Sequence, residues 1–388
     1  MTTPAAALRV LHVASAIDPV AGGPVVALLG LARAQAQEGM RVSVLTTYGR
    51  GTDLSAGDDL RSRGIDVRLV GPGRGLLFSH PRLRPVLGEM IAQVDVVHVH
   101  ALWEDIQHQA CREAGRRGVP YVIRPCGGLD PWSMRQSWLK KRLYMLWRMR
   151  RNLDRATAIH FTTQMECDLV QRLRLAAPAI VEPNGVDLSE FQNPARGSFR
   201  ARYPQLADRP YVLYLGRLHP LKGLELLIPA FAQCAAREAV LVVAGPDEGF
   251  LQQCRRMAEA HAIADRVIFT GILRGRERIG ALADATLFCL PSFHENFGIS
   301  VVESLAAGVP VIVSDHVYIH REISAAGAGG VVPLDVGALA DELKRWLADE
   351  SLRSAAAGRG LALVRERYDW RQIARRWGEH YRGMMRDA

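Results

Sequence analysis

Leu290-Pro291-Ser292-Phe293-His294-Glu295-Asn296-Phe297-Gly298-Ile299 runs on through Ser300 to Gly308 and then into Val309-Pro310-Val311-Ile312-Val313. One apolar run, Ala285 to Leu290, leads in, and a second, Val309 to Val313, leads out. Strand, helix, strand in this order predicts a parallel sheet whose central strands are buried on both faces. From Asn296 to Val313 the only charged residue is Glu303. Its helical neighbours are Ile299, Ser300, Ala306 and Ala307, so it does not belong to a charged solvent face. A carboxylate there needs a hydrogen-bonding partner, because burying it bare costs several kcal/mol. Glu303 is either a capping or surface residue, or it binds ligand hydroxyls at the carboxyl edge of the sheet, where such folds take their ligands.

The same alternation extends in both directions. Strands are expected at Tyr211–Leu215, Val240–Ala244, Val267–Thr270, Ala285–Leu290 and Val309–Val313, separated by helices near 222–237, 248–263, 276–283 and 298–307. An earlier series has strands at Leu8–Ala14, Arg41–Thr46, Asp66–Val70, Val94–Val99, Tyr121–Arg124, Ala156–Phe161 and Ala179–Val181. Its helices fall near 24–38, 81–92, 105–117, 135–153 and 163–174, and Pro24 after Gly22-Gly23 suits a first helical turn. The stretch 193–198 reads as a linker. The fold class is therefore α/β, with two doubly wound Rossmann-like domains facing across a cleft. The first spans 1–195 and the second 196–369, with a last amphipathic helix, about 370–388, expected to pack back onto the first.

A chain of 388 residues with 48% apolar and 23% charged residues is neither disordered nor fibrous. Six scattered cysteines without a CxxC pair fit reduced thiols better than a disulfide framework or a zinc site. Leu8 to Ala14 reads as a first strand rather than a signal peptide, and no apolar run is long enough to span a membrane. A cytoplasmic protein is expected.

The net charge of +9 is uneven. Between Arg135 and Arg155 eight basic residues face one acid, Asp154. At helical spacing Lys140, Lys141, Tyr144, Arg148, Arg151 and Arg155 share one face, and Leu139, Leu143, Leu146, Met149 and Leu153 the other. Such a helix suits an anionic membrane surface, which would place the protein peripherally on the inner face of the plasma membrane. The alternative is a solvated face on a helix packed against the core. No nucleic-acid motif supports a third reading, and no nucleic-acid partner is expected.

The second series opens Tyr211-Val212-Leu213-Tyr214-Leu215-Gly216-Arg217-Leu218-His219-Pro220-Leu221-Lys222-Gly223. Arg217 and Lys222 flank a helix amino terminus, where backbone N–H groups already favour anions. A planar guanidinium and a compact ammonium suit a diphosphate.

With Gly216-Arg217-Leu218, Lys222-Gly223, the Glu295–Glu303 pair around Phe297-Gly298, Pro183-Asn184-Gly185-Val186-Asp187 and Gly22-Gly23-Pro24, the chain resembles the retaining GT-B glycosyltransferases of family 4. The stretches 124–132 and 100–103 look like those of bacterial exopolysaccharide or lipopolysaccharide enzymes. The resemblance implies sugar transfer from a nucleotide-diphosphate sugar to a glycan or lipid-linked oligosaccharide. Arg217, Lys222 and Glu295 would be catalytic, the cations neutralising the leaving diphosphate and Glu295 accepting from donor-sugar hydroxyls. Gly22, Gly23, Asn184, Phe297, Gly298, Ile299 and Glu303 would bind the donor, Glu303 through the ribose and Phe297-Gly298-Ile299 through backbone N–H groups. A plain turn explains Asn184-Gly185 equally well. The resemblance further implies that no cofactor and no metal are required. In keeping, no two aspartates stand two positions apart, and no GxSxG, HExxH, Walker loop or GxGxxG after the first strand is present.

Relatives usually carry a histidine where Cys126 stands, and a thiol is a poor donor. His98, His100 and His160 lie near strand ends and are candidate substitutes, or structural. Asp130 and Trp132 are candidate acceptor contacts beside Cys126, or a turn aspartate and a core tryptophan. Two further classes stay open: a degenerate relative that binds nucleotide sugar or glycan without transfer, and another enzyme of similar architecture, such as an epimerase.

Overall fold

The structure, a computed structural model, describes residues 7–19, 22–234 and 236–386. The chain forms two compact units, one of residues 1–185 with 370–388 and the other of residues 186–369.

The first unit is a seven-stranded sheet in the order β3-β2-β1-β4-β5-β6-β7. Its strands are β1 (Arg9–Ala14), β2 (Arg41–Thr47), β3 (Asp66–Val70), β4 (Val96–His100), β5 (Tyr121–Arg124), β6 (Ala158–Phe161) and β7 (Ala179–Val181). Neighbouring strands pair parallel throughout. β1, β4 and β5 are almost wholly buried, taking His12, His98, His100 and Arg124 in among their apolar residues. The strand order reverses between β1 and β4, and the loops at that edge carry Ser15 and the segment 101–104.

The helix Trp370–Arg386 closes this unit against the helix Gly23–Gln37. A methyl at Gly30 would collide with the Trp370 indole, so glycine there is what lets the two helices meet. Arg375 adds an ion pair to Glu38 at 2.7 Å.

The second unit is a six-stranded parallel sheet in the order β10-β9-β8-β11-β12-β13. The strands are β8 (Tyr211–Leu215), β9 (Val240–Ala244), β10 (Val267–Gly271), β11 (Leu287–Leu290), β12 (Val311–Ser314) and β13 (Gly329–Val332). Its order reverses between β8 and β11. β13 carries no strand signal in the sequence because it opens Gly329-Gly330. A Cβ at Gly329 would run into the Val311 carbonyl, so the glycine permits the close pairing with β12.

The chain passes between units at Gly185/Val186 and again at Asp369/Trp370. The stretch 193–198 read as a linker thus lies inside the second unit. Val186 N–H bonds the Tyr368 carbonyl at 2.8 Å, and Phe191 packs into that unit's core.

The helix expected over 135–153 is broken. Pro131–Arg135 forms one turn and Ser137 adopts a left-handed conformation. Trp138–Tyr144 then runs through a π-helical turn, Met145–Met149, into Arg150–Arg155. Its faces also do not divide as a solvated basic face packed against the core would have them. Lys141 donates to the Ser133 carbonyl (2.7 Å), Tyr144 to the Glu104 carbonyl (2.7 Å), and Arg148 pairs with Asp105 (2.6 Å). Those three residues of the predicted basic face look inward. Met149 and Leu153 are buried, but Trp138, Leu139, Leu143, Leu146 (63% exposed) and Trp147 (81%) look outward. Among the described residues no helix is long and apolar enough to cross a membrane.

Candidate functional site

In the second unit the residues singled out by sequence gather at the β8/β11 reversal. β8 ends at Leu215, and His219 caps the single turn Pro220–Lys222 by accepting from the Leu221 N–H. Gly223 follows at φ 75°, where a methyl would collide with the Pro291 carbonyl. Only glycine lets the start of the helix Leu224–Gln233 press against the loop after β11. The Phe293 N–H closes the contact on the Leu221 carbonyl at 2.8 Å.

That contact carries Lys222 to Glu295, with Nζ 2.6 Å from Oε2 and side-chain exposures of 14% and 19%. Burial pushes the Glu295 carboxyl up, but the Lys222 ammonium and the Phe297 N–H outweigh it and hold the group below the ordinary carboxylate range. The Glu295 backbone is fixed too. Its N–H donates to the His316 carbonyl and its carbonyl accepts from the Tyr318 N–H. Phe297 contributes backbone only, since its ring is buried edge-on against Tyr368. Gly298, at φ 81°, then starts the helix Ile299–Ala306, which has no side-chain cap.

Glu303, on that helix, is 8% exposed and has the partner its surroundings demand: Arg278, from the helix Gly275–Ala283. Arg278 also reaches Glu190 at 2.9 Å. Arg217 does not join Lys222; its guanidinium binds both oxygens of Glu248 at 2.7 and 2.8 Å. Arg278 and Glu248 were not legible from their own stretches. The only signal was the basic run Arg274-Gly275-Arg276-Glu277-Arg278, which reads as an ordinary solvated helix start.

The other candidates lie in the first unit. Gly22, at φ 95°, precedes the helix Gly23–Gln37, whose first turn has no side-chain cap and holds Pro24. A Cβ at Gly22 would touch nothing, so conformation rather than space calls for glycine. Asn184 is buried, and its amide oxygen accepts from Arg124 Nη2 at 2.5 Å. Asp130 is fully buried and caps the turn Pro131–Arg135 through the Ser133 N–H at 2.6 Å. Trp132 is exposed, not core. Cys126 sits at φ 54° with its thiol on the Arg124 carbonyl, and burial raises its pKa.

His98, His100 and His160 join His12 in a buried chain of hydrogen bonds. Burial drives His12 down to about 4 and the other three well below the ordinary histidine value, so all four rings are neutral. Each then carries one N–H, and the end acceptors fix which. His160 donates to the Glu182 carbonyl (2.7 Å) and accepts from His98 (3.1 Å). His98 accepts from the Tyr381 hydroxyl (2.6 Å), which accepts from Gln35 (3.3 Å). Gln35 accepts from His12 (2.7 Å), and His12 from His100 (2.9 Å). Among the described residues His12, His98 and His100 are the one group compact enough to suggest a metal ion. Their nitrogens are instead largely committed to one another and to Gln35, Tyr381 and His160.

Sequence reading also missed Glu104, beside the β1/β4 reversal. Burial raises its carboxyl to about 7, and its Oε2 has no hydrogen-bond partner among the described residues.

Residues 22–185 match the family described as "Glycosyl transferase 4-like domain", and residues 196–360 that described as "Glycosyl transferases group 1". The chain belongs to the GT-B glycosyltransferases of the family 4 type. It is 33% identical over 216 residues to a phosphatidyl-myo-inositol mannosyltransferase of Mycobacterium leprae, a match covering 53% of this chain and 55% of that protein. The chain thus spans about half the length of such mycobacterial relatives. A GDP-mannose:cellobiosyl-diphosphopolyprenol alpha-mannosyltransferase of Xanthomonas oryzae is 27% identical over 396 residues, 96% of each chain. Among solved structures, Anabaena HepE in complex with UDP superposes with a TM-score of 0.80 at 18% identity, covering 97% of this chain and 100% of that one. In this GT-B chain the Lys222–Glu295 pair, the uncapped helix start after Gly298 and the Arg278–Glu303 pair all belong to the second unit. Gly22, Gly23, Asn184, Cys126, Asp130 and Trp132 belong to the first.

Proposed function

We propose that the protein is a retaining, metal-independent glycosyltransferase that moves a sugar from a nucleotide-diphosphate sugar to a glycan on a lipid carrier, in cell-surface polysaccharide synthesis. The Lys222–Glu295 pair at the β8/β11 reversal, beside an uncapped helix start, carries this reading. Such an edge is where doubly wound sheets take ligands. Lys222 and Arg217 meet the diphosphate, exchanging their carboxylate partners for it, and offset the charge that grows on the leaving phosphate. Glu295, fixed by its backbone bonds, accepts from donor-sugar hydroxyls, and Glu303 accepts from the ribose. The acceptor oxygen forms the new bond to the anomeric carbon on the face the diphosphate leaves. The departing phosphate oxygen takes the acceptor's proton, so no protein nucleophile is needed.

The names of two relatives bear on the donor and the carrier: one uses GDP-mannose with a diphosphopolyprenol acceptor and another acts on phosphatidyl-myo-inositol. Peripheral contact with an anionic membrane through residues 135–155 completes the proposal. It is supported by the outward Trp138, Leu139, Leu143, Leu146 and Trp147 among exposed Lys140, Arg142 and Arg151.

The test is a thermal-shift panel of UDP, GDP, ADP, CMP and their common sugars on wild type and Glu303→Ala. A ligand at about 100 times its dissociation constant stabilises by roughly 2.7 kcal/mol. A shift of a few degrees with one diphosphate, lost in the variant, is expected. The second reading, binding without transfer, is favoured by the Cys126 thiol, a weak donor already turned to the Arg124 carbonyl. Transfer of labelled sugar to a lipid-linked oligosaccharide, undiminished by a chelator, eliminates that reading.

A further inference from the structure

The loop after β3 holds a feature that donor chemistry does not use. Arg74 and Ser79 exchange backbone hydrogen bonds at 2.9 and 3.0 Å, and the Phe78 N–H closes the tip on the Gly75 carbonyl. This tight hairpin presents Leu76 at 92% exposure. It is not a loose loop. A methyl at Gly73 would collide with Phe78, and one at Gly49 would touch its ring, so the Phe78 ring, still 37% exposed, rests against these glycines while Leu76 is held outward. From Pro72 to Gly88 there is no acidic residue, and Arg74, Arg82 and Arg84 are exposed.

The hairpin and the helical segment Trp138–Arg155 are held by the same three residues. Asp105 N–H donates to the Leu77 carbonyl at 2.9 Å, and the Asp105 carboxylate holds Arg148. The Glu104 carbonyl holds Tyr144, and Trp103 meets the Tyr144 ring edge-on and the Lys141 ammonium on its face. Trp103-Glu104-Asp105 therefore brackets two outward apolar points, each set among basic side chains. They are joined at the β1/β4 edge of the sheet.

We infer that the Arg74–Ser79 hairpin is a second membrane contact, inserting Leu76 into an anionic bilayer beside the Trp138–Trp147 segment. The inference rests on the proposed membrane reading and adds to it a preformed second anchor that fixes orientation. An aliphatic tip and indole rings among arginines fit an interface of acyl chains and anionic headgroups. A second copy of this chain would bring like charge against like charge. Because the hairpin is already ordered, insertion loses little conformational freedom. The bracket then sets the Glu104 edge of the first unit next to the headgroups, where a lipid-linked acceptor presents its glycan.

Flotation with phosphatidylcholine vesicles containing about a third phosphatidylglycerol tests this, using the full chain as wild type, Leu76→Ser, Trp147→Ser and the double variant. Losing insertion of one leucine lowers partitioning roughly tenfold or more, and for independent anchors the double variant shows about the product of the single losses. Pure phosphatidylcholine vesicles bind weakly in every case. Leu76→Ser that floats like wild type overturns the inference, as does a dimer in solution that Leu76→Ser dissociates. The nucleotide thermal shift is read on the same samples. A nucleotide shift with unaltered flotation sinks the hairpin alone, whereas reduced flotation without any nucleotide shift supports the hairpin and removes the transfer reading.

Discussion

The Lys222 ammonium stands 2.6 Å from Glu295 Oε2, across 73 residues of sequence, on the loops of two neighbouring strands. Removing the cation leaves burial as the main influence on Glu295, which raises its pKa. Glu295 titrates below the ordinary glutamate value of 4.5, so its pairing stabilises the fold above that pH and is lost as pH falls through the folded pKa. Lys222→Ala should therefore move the acidic limb of the rate–pH profile upward and lower turnover about 100-fold or more. A profile of sugar transfer from pH 4.5 to 8 checks both.

Arg278 is the charge that makes Glu303 tolerable in its buried position. Arg278→Gln leaves that carboxylate without its cation and should lower unfolding free energy by about 3 kcal/mol, measured by urea denaturation. Glu303→Gln should cost clearly less. Glu303→Ala should weaken nucleotide binding by roughly 1–3 kcal/mol, and unchanged affinity by calorimetry would remove the ribose role.

Arg217 is held by Glu248 in an exposed pair, which is worth little to stability. Glu248→Gln should leave unfolding unchanged and tighten nucleoside diphosphate binding up to about threefold, the equivalent of roughly 0.6 kcal/mol. Nucleoside affinity should not move. Arg217→Ala should lower turnover more than it lowers nucleoside affinity.

The four neutral histidines make the first unit acid-sensitive. Their folded pKa values lie below the ordinary 6.5, so between pH 6.5 and about 4 the unfolded chain binds more protons. Stability is constant on their account above pH 6.5 and falls below it, by as much as ~1.4 kcal/mol per pH unit for each ring. Melting temperature should drop steeply from pH 6.5 to 5. Tyr381→Phe removes the hydroxyl that serves His98 and should cost about 1–2 kcal/mol at pH 7.5.

Much of the fold was legible because parallel strands buried on both faces leave runs dominated by apolar residues. Among the described residues twelve of the thirteen strands fall in predicted runs, and β13 escaped because the close approach that makes it a strand demands Gly329. The orientation of the helical segment 138–155 was not legible. Periodicity separates its two faces but does not say which one Glu104, Asp105 and Ser133 will hold.

The sequence by itself determined the alternating α/β order, the glycines at positive φ, the cations near a helix start and the lone carboxylate in an apolar helix. These are local properties, set by backbone sterics and by the cost of burying charge. Only the tertiary structure decided the pairings: Lys222 with Glu295, Arg217 with Glu248, Arg278 with Glu303, and His98 with Tyr381, 283 residues away. Which opposite charge or donor answers a buried group depends on which loops the strand order brings together, and spacing along the chain carries no record of that.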